Sequence, residues 1–226
     1  VTSLPRAILF DAGGTLVLQN PDLVGVRVGL TIDPGEAFEA HYRTMAEFAA
    51  LKIQGSDATW DWWLERYFAR LGHPEPAIAG RVIDGGFGLW NWPLPGVVDG
   101  VRSLRESGIR LAVVSNSDGS VERSLAEAGF DGLFEFVLDS AVVGVKKPDR
   151  AIFDLALDRL RLGSDEAWYV GDSAYHDLGG ATGAGLAGAW LVDPLGLYPE
   201  VERRVATVAG LVEVVASPPG PHPAGA

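Results

Sequence analysis

From about residue 96 onward, short apolar runs alternate with amphipathic ones, and this alternation limits the possible folds most. "IRLAVVSN" (Ile109–Asn116) is rich in β-branched residues and reads as a strand. "GSVERSLAEAG" (Gly119–Gly129) reads as a helix ending on glycine, and "FEFVLD" (Phe134–Asp139) as a short strand. "PDRAIFDLALDRL" (Pro148–Leu160) places Ile152, Phe153, Leu155, Ala156 and Leu160 on one helical face, with proline in the first turn. "AWYVGD" (Ala167–Asp172) is a strand, "AYHDLGGATGAG" a short Gly-rich helix, and "AGAWLVD" (Ala187–Asp193) a last strand. Near-continuous apolar strands separated by helices predict an α/β fold, a doubly wound parallel sheet covered on both faces.

Residues from about 20 to 92 break this rhythm. "PGEAFEAHYRTMAEFAALKI" and "SDATWDWWLERYFARLG" both carry helical patterns. The first strand ends near Phe10 and the next begins near Ile109, a gap no ordinary crossover needs. The expected organisation is a core of residues 1–18 and 93–216, an inserted helical cap of residues 19–92, and a flexible tail of residues 217–226, "SPPGPHPAGA". Five of the seven tryptophans (Trp60, Trp62, Trp63, Trp90 and Trp92) lie in or beside the insert. They form either its small core or a hydrophobic substrate pocket facing the sheet.

A chain of 226 residues can bury a core of this kind without staples. The absence of cysteine excludes disulfides, thiolate metal sites and a cysteine nucleophile, and is compatible with an intracellular protein. Neither a signal peptide nor a membrane span is apparent, so the expected location is cytoplasmic. A net charge of −12, with no basic stripe, disfavours nucleic acid as a partner. Only three of the eighteen basic residues are lysines, and two of them, Lys146 and Lys147, are adjacent. No internal repeat is visible, and oligomeric state is not legible.

Ligands of open parallel sheets bind beyond the carboxyl ends of the strands. Those ends carry Asp11 after the first strand, Ser115 and Asn116 after the second, Lys146, Lys147 and Pro148 in a following loop, and Asp172 with Asp177 after a later strand. A carboxylate there can attack phosphorus. Converging carboxylates and backbone oxygens suit a hard cation, and Mg²⁺ suits phosphoryl chemistry. Hydroxyl and N–H groups can hold a phosphoryl oxygen, and a lysine neutralises charge on both partners.

With "FDAGGTL", "VVSNSDG", "GVKKPDRAIF" and "YVGDSAYHD" in this order, the sequence resembles the haloacid dehalogenase superfamily of hydrolases, in its phosphatase-like branch with a helical cap after the first motif. The resemblance covers nearly the whole chain except the tail. It implies a Mg²⁺-dependent hydrolase of a small phosphorylated molecule. Asp11 would be the nucleophile that forms an aspartyl-phosphate. Asp11, the Gly13 backbone carbonyl, Asp172 and Asp177 would hold Mg²⁺, and Asp177 would alternatively orient Lys147. Thr15, Ser115, Asn116 and Lys147 would bind the substrate, with Lys147 rather than Lys146 as the family lysine.

The first motif departs from the family pattern. A second acid usually stands at the place of Gly13, protonating the leaving oxygen and then activating water, and such assistance is worth roughly 10²–10⁴-fold. Glycine keeps the carbonyl and permits backbone geometries that other residues resist. Three explanations compete. The substrate has a good leaving group, such as an acyl phosphate, or another proton donor acts, for which His41 and His176 are candidates. The reaction is a phosphonatase-like C–P cleavage with Lys52 as a Schiff-base lysine, the dehalogenase branch ranking lower because "GDSAYHD" looks like a metal site. Or the protein is a catalytically weak binder of a phosphorylated ligand or a partner. A phosphoacceptor receiver domain is disfavoured by the long insert.

Overall fold

The computed structural model describes residues 4–84 and 88–216, so the expectation of a flexible tail at 217–226 lies outside the described residues. In chain order the first elements are β1 (Ala7–Phe10), β2 (Val17–Leu18), α1 (Pro21–Val28), α2 (Pro34–Ile53), α3 (Trp60–Arg70), α4 (Pro76–Asp84) and β3 (Trp92–Pro93). They are followed by α5 (Val97–Glu106), β4 (Arg110–Ser115), α6 (Val121–Leu125), β5 (Val137–Asp139), α7 (Ser140–Val143) and α8 (Arg150–Leu160). The last are β6 (Ala167–Gly171), α9 (Gly180–Ala184), β7 (Gly188–Val192), β8 (Arg204–Val205) and α10 (Gly210–Ala216).

Six strands form one sheet in the order β5-β4-β1-β6-β7-β8, and every pairing in it is parallel. β1 is central and buried on both faces, which is why it reads as an unbroken apolar run. Its side chains alternate. Ile8 and Phe10 join Leu111, Val113, Trp168 and Val170 on one face, under α5 and α10. Ala7 and Leu9 join Ala112, Val114 and Tyr169 on the other, under α8 and α9. This is the expected doubly wound α/β core.

Local signals start and stop the helices. Asn20 caps α1 by accepting from Asp22 N and Leu23 N, Pro21 opens the helix, and Gly29 closes it at a φ of 77°. Asp33 and Pro34 do the same for the 20-residue α2. Helices α1 to α4 have a core of their own, built from Val24, Val28, Phe48, Trp63, Tyr67 and Phe68 among others. Two residue pairs of an antiparallel ribbon, Val17 with Pro93 and Leu18 with Trp92, join this insert to the sheet.

The tryptophans divide between the two expectations. Trp63 is fully buried and stacks between Trp60 and Tyr67 at centroid separations of 4.4 and 5.2 Å. Trp62 packs on the insert core, whereas Trp92 packs on the sheet core. Trp60 and Trp90 face a cavity.

Several local expectations are corrected. Leu155 is 40% exposed, and Leu157 takes its place on the buried face of α8. Pro148 lies before the helix, whose cap is Asp149 accepting from Ala151 N. β5 keeps only the last three residues of "FEFVLD". The helix after β4 ends in a π-helical turn, Ala126–Phe130, and "AYHDLGGATGAG" divides into a π-helical turn, Ala174–Gly179, and α9.

One contact tests the packing under the site. Phe153 is fully buried and meets Tyr169 edge-on at 5.2 Å. A Cβ on Gly180 would lie 2.9 Å from Phe153 and 3.1 Å from the Pro148 backbone. Phe153→Ala is expected to cost about 3–5 kcal/mol and Gly180→Ala about 1–3 kcal/mol in denaturant titrations. An unchanged midpoint for Gly180→Ala would mean that helix and loop are not held against each other.

Candidate active site

The register sets the site. Phe10 stands opposite Val113 on β4 and Val170 on β6, so Asp11, Ser115 and Asp172 leave the same edge of the sheet. The chain runs from β1 to β4 and β5 and then returns to β6, so the strand order reverses beside β1 and opens a crevice there. Two more acids stand at this edge but are used up locally. Asp139 accepts from Ala141 N and Gly119 N, and Asp193 from Leu197 N and Tyr198 N. Asp11, Asp172 and Asp177 converge instead, with one oxygen from each within 4.8 Å of the others.

Lys147 organises this group. Its ammonium lies 2.7 Å from Asp11 Oδ1 and 2.7 Å from Asp177 Oδ1, and it donates to the Tyr169 hydroxyl at 2.7 Å. The Tyr169 hydroxyl in turn lies 2.9 Å from the Val114 carbonyl and 3.1 Å from Asp177 Oδ1, one of which takes its proton. Asn116 holds the lysine backbone from both sides: its Oδ1 accepts from Lys147 N at 2.8 Å, and its Nδ2 donates to the Lys147 carbonyl at 2.9 Å. A cis peptide to Pro148 follows. Asp177 Oδ2 accepts from Ser173 N at 2.9 Å. Lys146 is exposed on the rim.

Charge is crowded here. Burial pushes the Asp11 carboxyl up from its ordinary 3.8 to about 7, with Lys147 pulling down and Asp177 and Asp172 pushing up. Burial, then the Asp177 charge, pushes Asp172 well above the ordinary range against the pull of Lys147. Burial works against the Lys147 ammonium, but Asp11 and Asp177 outweigh it and raise its pKa. Asp172 Oδ1 is buried without a hydrogen-bond partner. An all-oxygen donor set with one carboxylate oxygen unspoken for fits a hard divalent cation, which would also relieve the mutual repulsion.

The helical insert reaches into this centre through α2. His41 Nε2 lies 2.9 Å from Asp172 Oδ2, and the Tyr42 hydroxyl donates to the Gly14 carbonyl at 2.7 Å. Burial holds His41 down at about 3, with Asp11 opposing, so the contact is a hydrogen bond of a neutral imidazole rather than an ion pair. Gly14 makes the contact possible. Its φ is +75°, and a Cβ on it would collide with Asp172 Oδ2. Gly13 does not have a left-handed φ, so the unusual backbone geometry belongs to Gly14. The space beside Gly13 is covered by Trp90, whose ring would lie 3.0 Å from a Cβ there.

A cavity of about 700 Å³ opens over the sheet edge. Asp11, Gly13, Ser115, Asn116, Lys147, Asp172 and Asp177 line its floor, and Met45, Phe48, Lys52, Ala58, Trp60 and Trp90 line its opposite wall. His176 also lines it, stacked on Phe48 at 5.8 Å with Nδ1 3.2 Å from Ser173 Oγ. Thr15 is fully buried, its hydroxyl unpartnered, and it does not line the cavity. Tyr169 and the Asn116 side chain were not anticipated. Tyr169 reads as a strand residue, and only the register shows its hydroxyl reaching Lys147.

Two outcomes test this geometry. Gly14→Ala should cost roughly 2–4 kcal/mol and Gly13→Ala clearly less, measured by chemical denaturation; equal costs would contradict the close approach at Gly14. The raised Asp11 pKa stabilises the fold fully below the unfolded value of 3.8, and this contribution is lost as pH rises through about 7. In chelator the thermal midpoint should therefore fall from about pH 4 to about pH 7, and Asp11→Asn should flatten the slope. An identical slope in the variant would assign the effect elsewhere.

Comparison with known proteins identifies the family. The profile of the haloacid dehalogenase-like hydrolases matches residues 5–185. Haloacid dehalogenase-like hydrolase domain-containing protein 3 of Bos taurus is 28% identical over 220 residues, covering 88% of this chain and 87% of its own. Glyceraldehyde 3-phosphate phosphatase of Methanopyrus kandleri is 30% identical over 215 residues, covering 88% of each. A crystal structure of a dehalogenase with an intermediate complex superposes with a TM-score of 0.65 at 20% identity, over 96% of this chain and 100% of that one, a likeness of fold. No helix among the described residues is long and apolar enough to cross a membrane. The strand-edge carboxylates, the buried lysine and the matched profile agree: the chain belongs to the haloacid dehalogenase-like hydrolases and is a phosphatase-like enzyme.

Proposed function

We infer that the chain is a Mg²⁺-dependent hydrolase of small phosphorylated molecules that works through an aspartyl-phosphate on Asp11. The observation that carries this reading is the placement of Asp11, bridged to Asp177 by Lys147, on the floor of a cavity of about 700 Å³ beside two further carboxyls. The 30% identity to a glyceraldehyde 3-phosphate phosphatase supports a phosphate ester as substrate.

Asp11, Asp172, Asp177 and the Gly13 carbonyl would hold Mg²⁺. When bound, the ion supplies positive charge to the phosphoryl oxygens and to the crowded acids. Lys147 holds one Asp11 oxygen in place and favours its charged form against the effect of burial, leaving the other oxygen to attack phosphorus. The Ser115 hydroxyl and the Asn116 backbone N–H would hold the phosphoryl oxygens, and the Asn116 side chain fixes the lysine that faces them. Met45 and Phe48 of α2, Trp60 of α3 and Trp90 wall the site and would limit its water. Water then displaces phosphate from Asp11 and regenerates the carboxylate.

Lys52 carries a second reading. It lines the same cavity, half-buried, and donates to the Ala58 carbonyl at 3.3 Å. As a Schiff-base amine it would serve a phosphonatase-like C–P cleavage. Borohydride trapping with phosphonoacetaldehyde labels Lys52 in that case, and no labelling removes the reading.

The deciding measurement is phosphate release from a panel that includes acyl phosphates, with Mg²⁺ and with chelator. Mg²⁺-dependent release is expected, and Asp11→Asn and Lys147→Ala should each lower it by roughly 10³-fold or more. Absence of Mg²⁺-dependent release from every substrate would overturn the hydrolase mechanism.

A further inference from the structure

The cavity holds few groups that can give up a proton. Its carboxyls are Asp11, Asp172 and Asp177, together with Asp57 and Asp118. Asp57 and Asp118 are both exposed, and Asp118 Oδ1 is occupied by Ser120 N at 3.0 Å and Ser120 Oγ at 2.6 Å. The place beside Gly13, one residue from the nucleophile's neighbour, is covered by the Trp90 ring, which leaves no room for an acid without moving the indole. The His176 ring is stacked on Phe48, with Nδ1 against Ser173 Oγ.

What stands above the floor instead is aromatic. Trp90 and Trp60 lie 6.0 Å apart at a 43° tilt, and both line the cavity with Phe48 and Met45. Trp60 is 41% exposed, lines the cavity and stacks on the buried Trp63 at 4.4 Å. A group departing from phosphorus toward this wall meets π-faces, and the Lys52 ammonium on the same wall is engaged with the Ala58 carbonyl at 3.3 Å.

We propose that the enzyme selects phosphate esters whose leaving group is aromatic, with Trp90 as the specificity-determining residue and Trp60 completing the wall. This rests on the aspartyl-phosphate reading above. In the first step an Asp11 oxygen forms a bond to phosphorus and the P–O(aryl) bond breaks. The electron pair leaves on the aryl oxygen as a phenolate, with no proton taken from the protein. A phenol has a pKa of about 10, as in tyrosine, so its anion departs unaided where an alkoxide, with a parent alcohol near the 15.7 of water, does not. In the second step water adds to phosphorus, its proton passes to solvent, and the P–O bond to Asp11 breaks with the pair returning to the carboxylate. The indole of Trp90 contributes by stacking on the aryl ring, worth roughly tenfold in binding.

The test has two parts. The first compares kcat/KM for phenyl, 2-naphthyl and 4-nitrophenyl phosphate with ethyl phosphate and glycerol phosphate, and uses acetyl phosphate to establish that turnover occurs. An aryl preference of at least roughly 100-fold is expected, and it should fall about tenfold in Trp90→Leu. The second part needs no turnover. Phenylphosphonate should quench tryptophan fluorescence with a Kd roughly tenfold below that of methylphosphonate, and Trp90→Leu should remove the difference while Trp90→Phe keeps most of it. Circular dichroism checks that both variants are folded. Equal rates for alkyl and aryl esters would overturn the proposal alone and point to a proton donor in the cavity, with His176 the first to replace. Equal Kd values for the two phosphonates in the unmodified chain would also overturn it. No phosphate from any substrate, acetyl phosphate included, would instead remove the hydrolase mechanism beneath it.

Discussion

The buried ammonium of Lys147 is the constraint on which the site depends. It is 2% exposed and touches two carboxylates and a phenol. Removing one partner of such a buried pair leaves an uncompensated charge, at a cost of about 3–5 kcal/mol. The geometry therefore has to be right, and much of the surrounding structure serves it. Asn116 clamps the lysine backbone, α8 begins three residues after the lysine, and Phe153 packs against Tyr169 from below. The two halves of the sheet meet at this lysine: Asp11 and Val114 come from one side of the switch in strand order, Tyr169 and Asp177 from the other.

The electrostatics of the three acids follow from the same crowding. Burial first, and then the mutual repulsion of carboxyls facing one ammonium, raises the pKa values of Asp11 and Asp172. Such a centre is incomplete as a set of charges, and the unpartnered oxygen of Asp172 marks where completion is needed. Neutral His41 on the other Asp172 oxygen supplies a hydrogen bond without supplying charge.

The sheet, the insert and the main acids were legible in the sequence because each leaves a periodic or positional trace. β1 is apolar throughout because both faces are covered, and Asp11 interrupts it at the edge. Position at a strand end does not by itself separate Asp11 and Asp172 from Asp139 and Asp193, which accept from nearby backbone N–H groups; the motifs around the first two are what set them apart. Nor could the sequence place His41, which sits in an ordinary helical pattern and reaches Asp172 only because α2 crosses the sheet edge. β2 and β3 are two residues each, too short for any alternation to show. Leu155 and Leu157 are both compatible with an apolar face, and packing chose the second. Gly13 and Gly14 are indistinguishable as letters, yet one has a left-handed φ under an incoming histidine and the other lies beneath an indole.

Helix α2 belongs to the insert by chain position and to the sheet edge by its contacts. Its far face packs with α3, while His41 and Tyr42 rest on Asp172 and on the Gly14 carbonyl. The insert is consequently not an interchangeable module. A transplanted helical cap would be seated only if its own second helix carried side chains that reach Asp172 and the Gly14 carbonyl as His41 and Tyr42 do. Modularity in this fold stops at one helix, and the boundary that matters runs lengthwise along α2 rather than across the linker.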